Sequence, residues 1–480
     1  MTVLKKTITL TVTLFLMLII PMSAFSITIK KEQEIAKRFI EQVKAHYVII
    51  NDPEISDYIT SLGEKILTSY PEQPFPYHFY VIKHDTFNAF AGPGGHIFIH
   101  SGLFEAMENE EELAGIIGHE ISHVSCRHIS ERLDLQNKLK LSTIAGIAAG
   151  IFLGIYGDPA AGTALTVGAM AGGPAITLAY SREDEMQADK VGLKYLNQSG
   201  YSGKGLIRSL SKIRGRQWFG KDQIPVYMNT HPALEDRMSY ISNWVDTNEE
   251  KKLSQSKSSF EFNLAHVKLT AGYGLIASAE QIYKNRLRKN PDDFYANYGY
   301  GIVLSRSGQY KEAIKYVNKT LEKKAFHTGI LQTLGQIYFQ NGDFVKARNV
   351  FAGILSIEPD NFTASLYYSK SLAECGALDE ALDAIKNYAV EDIGKIKAFY
   401  CIADIYSRKK RLADSYYYLG LYYSGKKDIP NALVQFKMAL SKEKNPEKKS
   451  KIKARLDKLK KRKIKKEPPE NKKSGKNNPA

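Results

Sequence analysis

The chain has 480 residues, 43% hydrophobic and 25% charged. That length exceeds what one hydrophobic core organises and that composition excludes a wholly disordered or fibrous chain, so two or more domains are expected. The net charge of +16 is concentrated at one end: residues 441–480 hold 17 Lys and Arg against 5 Asp and Glu, a net +12 that leaves +4 for everything else.

Lys5 and Lys6 precede an apolar run from Ile8 to Ile20 broken only by threonines, followed by Pro21 and the small residues Ser23 and Ala24. This reads as a secretory signal peptide over residues 1–26, the other reading being an uncleaved anchor, for which the run is short. Three cysteines, Cys126, Cys375 and Cys401, are too few for a disulfide scaffold or a four-thiolate metal site, and leave only a Cys375–Cys401 bridge open. From Glu32 to Leu67 apolar residues recur at helical spacing, as in Ile35, Phe39, Ile40 and Val43, which predicts a helical opening. Alternation then predicts strands over His78–Ile82 and His96–His100, joined by a turn at Gly92-Pro93-Gly94-Gly95. The carboxylates from Glu108 to Glu112 suit the first turn of a helix that runs on through Gly118-His119-Glu120-Ile121-Ser122-His123.

His119-Glu120-x-x-His123 is the most informative feature. Residues four apart share a helix face, so two imidazoles can hold one tetrahedral zinc ion with Glu120 beside them as a general base. A third protein ligand is needed. A third histidine six residues beyond His123 would fall at 129, where the chain has Ile129, and His128 is off register. The remaining source is the acidic run Glu183-Asp184-Glu185-Met186-Gln187-Ala188-Asp189. Glu185 and Asp189 lie four apart, so one can bind metal while the other accepts the free N–H of a ligand imidazole. Taken alone, the same run also reads as a solvated helix face.

His119-Glu120-x-x-His123, Ser181-Arg182-x-x-Glu185-x-x-Ala188-Asp189 and Thr230-His231-Pro232 with Arg237 occur in one order, together with Phe87-Asn88-Ala89-Phe90-Ala91-x-Pro93-Gly94-Gly95 and Ser101-Gly102-Leu103. Over residues 40–245 this pattern resembles the gluzincins related to the HtpX heat-shock protease and the CAAX prenyl proteases. The resemblance implies one Zn2+ per chain on His119, His123 and Glu185, Glu120 as the base, and Asp189 supporting a ligand histidine. It also implies that the strand from His96 to Ser101 is an exposed edge to which an extended substrate adds, with Asn88, Ala89, His96, Ile97, Phe98 and Ile99 as substrate-binding positions. His231 has two readings, an oxyanion stabiliser or, as favoured here, a fourth ligand that keeps the enzyme latent; a turn residue before Pro232 is the plain alternative. Arg237 is expected to pair with a carboxylate near the site.

The stretch from Leu141 to Leu178 is rich in glycine and alanine and has one charge, Asp158; it reads as an apolar cover or membrane-contacting segment rather than a membrane hairpin. Beyond it, Gly274, Gly308, Gly342 and Gly376 are spaced by 34 residues, as are Ala279, Ala313, Ala347 and Ala381. Leu334-Gly335-x-x-Tyr338, Ala347, Phe351 and Pro359 reproduce the tetratricopeptide pattern, a further copy at Leu419-Gly420-x-x-Tyr423, Ala432 and Phe436 is out of phase, and residues 391–412 between are irregular. Such repeats stack into a solenoid that binds proteins. The tail offers no aromatic to stack on bases, so nucleic acid is excluded as a partner; disorder is expected, with an anionic membrane surface as its electrostatic match.

The expected fold is therefore mainly α: a signal peptide (1–26), an α+β zinc metalloprotease domain with a small mixed sheet (27–250), an α-solenoid of tetratricopeptide repeats (262–446) and a basic disordered tail (447–480). The resemblance implies a periplasmic factor that degrades unfolded or misassembled outer-membrane proteins and docks clients or the outer-membrane assembly machinery on its repeats. The competing reading is an assembly chaperone whose zinc site is latent.

Overall fold

The computed structural model describes residues 27–134, 180–218, 226–249, 259–389 and 396–464. The expected signal peptide, the apolar stretch 141–178 and residues 465–480 lie outside the described residues. These fall into two compact units divided between Gly274 and Leu275. As expected, the described residues are mainly α, with one three-stranded sheet among them.

The helical opening is two helices, α1 (Ile29–His46) and α2 (Pro53–Leu67). The periodicity hid the break, which Pro53 imposes: proline holds the preceding Asp52 extended, and the Asp52 side chain then caps α2 by accepting from the Glu54 N–H. Both helices bury one stripe, Ile35, Phe39 and Val43 on the first and Ile55, Ile59, Leu62 and Ile66 on the second.

The sheet holds β1 (His78–Ile82), β2 (Ala89–Gly92) and β3 (His96–His100). The glycine turn joins β2 to β3, not β1 to β3; Gly94 and Gly95 take φ of +70° and +78°, which a side chain would strain. Strand order is β1-β3-β2, with β3 parallel to β1 and antiparallel to β2. This overturns the expected substrate edge. β3 is hydrogen-bonded on both sides, Ile97, Phe98 and Ile99 are fully buried, and no edge remains at His96–Ile99 for another strand to join. Of the proposed substrate positions, Ala89 is on the outer strand β2, with Asn88 just before it.

The rest of this unit is helical: α3 (Ser101–Ala106), α4 (Glu110–Ser125), α5 (His128–Asp134), α6 (Arg182–Gln198), α7 (Lys204–Trp218), α8 (Val226–Thr230), α9 (Leu234–Asn248) and α10 (Phe260–Tyr273). α4 is the hub, buried at every position from Glu111 to Val124. Asn109 caps it, accepting from the Glu112 N–H. Two of its glycines admit neighbours: a Cβ on Gly115 would meet the Leu206 backbone of α7 at 2.6 Å, and one on Gly118 would meet Leu196 of α6 at 2.8 Å. α10 places Phe262, Ala265 and Leu269 in the same core. The expected boundary between 250 and 262 therefore moves to Gly274, because α10 carries an apolar face that the core of the first unit covers.

The second unit runs as α11 (Ile276–Lys289), α12 (Phe294–Arg306), α13 (Tyr310–Leu321), α14 (Thr328–Gln340), α15 (Phe344–Ile357), α16 (Phe362–Glu374), α17 (Leu378–Lys386), α18 (Ile396–Arg408), α19 (Leu412–Gly425), α20 (Ile429–Lys442) and α21 (Pro446–Ile464). Small residues let successive helices close up: a Cβ on Gly335 would lie 2.7 Å from Phe351, and one on Gly420 2.7 Å from Phe436. Left-handed turns recur at Gly308, Gly342 and Gly376, then at Lys410 after the same 34 residues, then at Lys427 only 17 later. The out-of-phase copy is thus a half-repeat shift. α19 follows α18 across the Lys410 turn as a second helix and precedes α20 across the Lys427 turn as a first one. The stretch read as irregular contains α18, a regular helix.

Residues 447–464 are not a disordered tail. α21 seats Ile452, Leu456 and Leu459 against α19 and α20, the one apolar stripe in an otherwise basic sequence. All three cysteines are free; Cys401 is buried and Cys375 exposed. No described helix is long and apolar enough to cross a membrane.

Candidate metal centre

Four side chains from three parts of the first unit converge at one buried point. α4 supplies His119 and His123, α6 supplies Glu185, and the turn after α8 supplies His231; one donor atom from each lies within 4.8 Å of the others. α6 begins at a reciprocal cap in which Ser181 and Asp184 satisfy each other's backbone N–H groups. That cap, with the close α4–α6 approach at Gly118, brings Glu185 over the histidines. The His231 turn is tied down by Tyr180 N–H to Thr230 O at 2.9 Å and His231 N–H to Tyr227 O at 2.8 Å. Ala233, left-handed at φ +62°, then turns the chain into α9 and carries Arg237 back to the centre.

The hydrogen bonds decide which nitrogen each imidazole presents. His119 donates from Nδ1 to Asp189 Oδ1 at 2.8 Å. His123 donates from Nδ1 to His128 Nδ1 at 2.9 Å, and His128 donates from Nε2 to Gln187 Oε1 at 3.0 Å. The Nε2 atoms of His119 and His123 are then both lone-pair acceptors, 3.0 Å apart, with Glu185 oxygens 3.5 and 3.3 Å away. His231 Nδ1 lies 2.9 Å from Glu185 Oε1 and 3.4 Å from His119 Nε2. Imidazole nitrogens and a carboxylate brought this close at one buried point could hold a metal ion, and such a donor set suits zinc.

Glu120 is fully buried and neither of its oxygens has a hydrogen-bond partner; His231 Nε2, 3.6 Å from Glu120 Oε1, has none either. Burial raises the Glu120 carboxyl above its usual range, while His231 and His119 pull the other way. Around the donors runs a second layer. Arg237, 1% exposed, donates to Asp189 through Nε at 2.7 Å and Nη2 at 2.9 Å and forms an ion pair with Glu185. Tyr240 donates to the same Asp189. Burial alone would raise Asp189, but Arg237 and His119 bring it well below the usual carboxylate range.

Several residues here escape a sequence reading. Tyr180 stacks on His123 with ring centres 3.6 Å apart and Tyr227 stacks on His231 at 4.2 Å, both buried with hydroxyls that lack hydrogen-bond partners. Their only sequence signal is position, one residue before Ser181-Arg182 and four before His231. His128, off register as a ligand, instead orients His123. Asn88 is 1% exposed and neither polar atom of its carboxamide has a partner. His96, Ile97, Phe98 and Ile99 take no part in this cluster.

Known proteins agree with this division of the chain. The model of peptidase family M48 matches residues 52–245, that of the tetratricopeptide repeat residues 271–327, and that of anaphase-promoting complex, cyclosome, subunit 3 residues 306–388. The beta-barrel assembly-enhancing protease of Yersinia pestis is 27% identical over 318 residues, 65% of this chain and 64% of that protein. The putative beta-barrel assembly-enhancing protease of Vibrio cholerae is 29% identical over 294 residues, 61% and 58%. The metalloprotease LoiP of Escherichia coli is 28% identical over 194 residues, 39% and 73%. The chain thus spans less than two thirds of the length of the two assembly-enhancing proteases. Residues 52–245, which hold the metal centre, are a peptidase family M48 domain, and the chain that carries them continues into tetratricopeptide repeats.

Proposed function

We propose that the chain is an exported, periplasmic zinc endopeptidase of protein quality control that acts on misassembled outer-membrane proteins, with one zinc per chain. The observation that carries this reading is a buried set of four convergent donors beside a buried carboxylate that nothing else satisfies. The names of the two assembly-enhancing relatives support the client class, and the repeats support docking of clients or of an outer-membrane assembly machine.

His119, His123 and Glu185 would hold the zinc, which when bound supplies Lewis-acid chemistry, acidifying water and polarising a scissile carbonyl. Glu120, whose proton affinity burial raises, takes the proton from the attacking water and delivers it to the leaving amine. Asp189 and His128 hold the two ligand imidazoles in the tautomer that keeps Nε2 free. Arg237 positions Glu185 and Asp189. Of the substrate positions, Ala89 is fully buried, and Asn88 just before the outer strand β2 has an unpartnered carboxamide that could offer both a donor and an acceptor to a peptide group.

Proteolysis of an unfolded outer-membrane protein tests the reading. Replacing Glu120 by Gln is expected to lower the rate by about 10²- to 10⁴-fold with zinc still bound. Equal loss of metal would mean that Glu120 is a ligand instead, and wild-type protein that binds the client without cleaving it would leave an assembly chaperone with a latent site.

For His231 the Nδ1 contacts to Glu185 and His119 support a fourth ligand that closes the site. His231→Ala then opens a position for water and raises proteolysis. The unpartnered Nε2 favours a second reading, an oxyanion donor, under which the same change lowers the rate by about a hundredfold or more. The two outcomes have opposite signs.

A further inference from the structure

Away from the metal centre, a second group of histidines lies on one face of the sheet. Side chains two apart on a strand share a face, so His96, Phe98 and His100 of β3 line up beside His78 and Tyr80 of β1, which oppose His96 and Phe98 in the parallel register. Helix α1 covers this face. Its Phe39 ring meets Phe98 edge-on at 5.9 Å and closes over Gly92, where a Cβ would lie 2.5 Å from it. Tyr47, at the end of the helix, stands 6.4 Å from the His100 ring and 5.9 Å from that of His84.

The contacts suit neutral imidazoles. Thr86 Oγ1 lies 2.8 Å from Nδ1 of both His84 and His100, and the Thr86 N–H donates to the same His84 nitrogen at 3.3 Å. A proton on His84 Nδ1 would face that N–H. A doubly protonated His100, fully buried, would hold an Nε2–H with no acceptor among the described residues. At the other end of β3 the His96 ring stacks on His78 at 5.0 Å, and its Nδ1 lies 3.1 Å from the Tyr80 hydroxyl. Burial holds all four imidazoles below their ordinary value, His96 at about 4 and His100 at about 3. Lys44 of α1 adds to this at His78 and His96, as do His78 at His96 and His84 at His100, while Asp85 opposes it at His84. Tyr47 and Tyr80 are the other titratable groups against these rings, and β2 presents Phe90.

The same helix holds a corner next to the metal centre. Glu32, 2% exposed in the first turn of α1, accepts from the Gly94 N–H at 3.0 Å, Ser130 Oγ at 2.7 Å and Arg127 Nη2 at 3.0 Å. Arg127 and Ser130 bracket His128, which orients His123.

We propose that α1 is an acid-released clasp: protons taken up by the histidines of the sheet detach the helix, and Glu32 leaves with it and frees the corner that carries His128. Once α1 is detached these rings meet water and titrate near the ordinary value of about 6.5. The closed clasp is therefore fully stable above that pH and loses stability as the pH falls towards the closed-state values of His96 and His100. The clasp goes beyond the peptidase reading and does not depend on it.

Hydrogen exchange of the full, zinc-loaded chain, corrected for the intrinsic rate, is followed from about pH 6.5 down to about pH 5. Each proton gained on detachment raises opening about tenfold per pH unit, so His96 and His100 together should speed exchange in α1 by about a hundredfold per unit. Residues 126–130 should follow α1, and α4 should stay as it was. Carboxylates with ordinary values of about 4 remain ionised over most of this window, so the slope counts histidines. His96→Phe and His100→Phe should each lower the slope by about tenfold per unit. If His100→Phe does not fold, the wild-type slope and His96→Phe decide. A wild-type slope under about tenfold per unit, or one that His96→Phe leaves unchanged, overturns the proposal. Equal slopes in α1 and α4 overturn it too, because the whole unit then opens at once, and so does rapid exchange in α1 while residues 126–130 stay protected.

Discussion

His119 and His231 are 112 residues apart in the chain and 3.4 Å apart in the metal centre. In the second unit Gly335 meets Phe351 sixteen residues away, and the same contact returns at Gly420 and Phe436. The first arrangement exists only when α4, α6, the His231 turn and α9 are all in place. The second is a sum of similar short-range contacts, each helix resting mainly on the next. Damage should therefore spread through the first unit and stay local in the second.

The sharpest way to break this contrast is Arg237→Ala. It removes the buried cation that pairs with both Glu185 and Asp189, and breaking a buried ion pair by removing one partner costs about 3–5 kcal/mol. Because Asp189 fixes the His119 tautomer, zinc content should fall together with the melting temperature of the first unit. A variant that melts earlier yet keeps its full zinc would show that Arg237 stabilises the fold without positioning the donors.

A smaller effect, confined to the repeats, is expected from Gly335→Ala. The added Cβ would sit 2.7 Å from Phe351 and force the ring to shift, costing about 1–3 kcal/mol. Hydrogen exchange should quicken in α14 and α15 while zinc content and the melting of the first unit stay as they were. Faster exchange throughout α4 would mean that the units unfold together.

The same contrast decides what the sequence made legible. A helix whose chemistry lies within five residues, His119 to His123, is readable because helical geometry alone puts those side chains on one face. The 34-residue spacing of glycines is readable because each repeat needs its own close helix contact. The order of strands was not, since β3 and an edge strand can share one apolar pattern, and His96-Ile97-Phe98-Ile99-His100 says nothing of how many neighbours it has. Nor were His128 and Tyr227, whose roles depend on where α5 and α8 fold back. The tail misled for another reason: its excess of lysine masked Ile452, Leu456 and Leu459, spaced four and three apart as a buried helical stripe requires.

The smallest expected effect concerns the phase of the repeats. Gly308, Gly342 and Gly376 each end a helix in the left-handed conformation, and the residue after each donates its N–H to the carbonyl five back: Gln309 to Leu304, Asp343 to Tyr338 and Ala377 to Leu372, at 2.9 to 3.0 Å. Lys410 holds the next position, with φ +59° and the same bond from Arg411 to Tyr406 at 2.9 Å. A side chain there costs about 1–2 kcal/mol of left-handed strain that glycine avoids. Glycine in turn loses about 0.5–1 kcal/mol more conformational entropy on folding. Lys410→Gly should thus stabilise the α18–α19 turn by about 0.5 kcal/mol, visible as slower hydrogen exchange there and unchanged exchange in α14. The exposed lysine has no packing to lose, so a net loss of stability would mean that the lysine side chain contributes more than the strain of the turn costs.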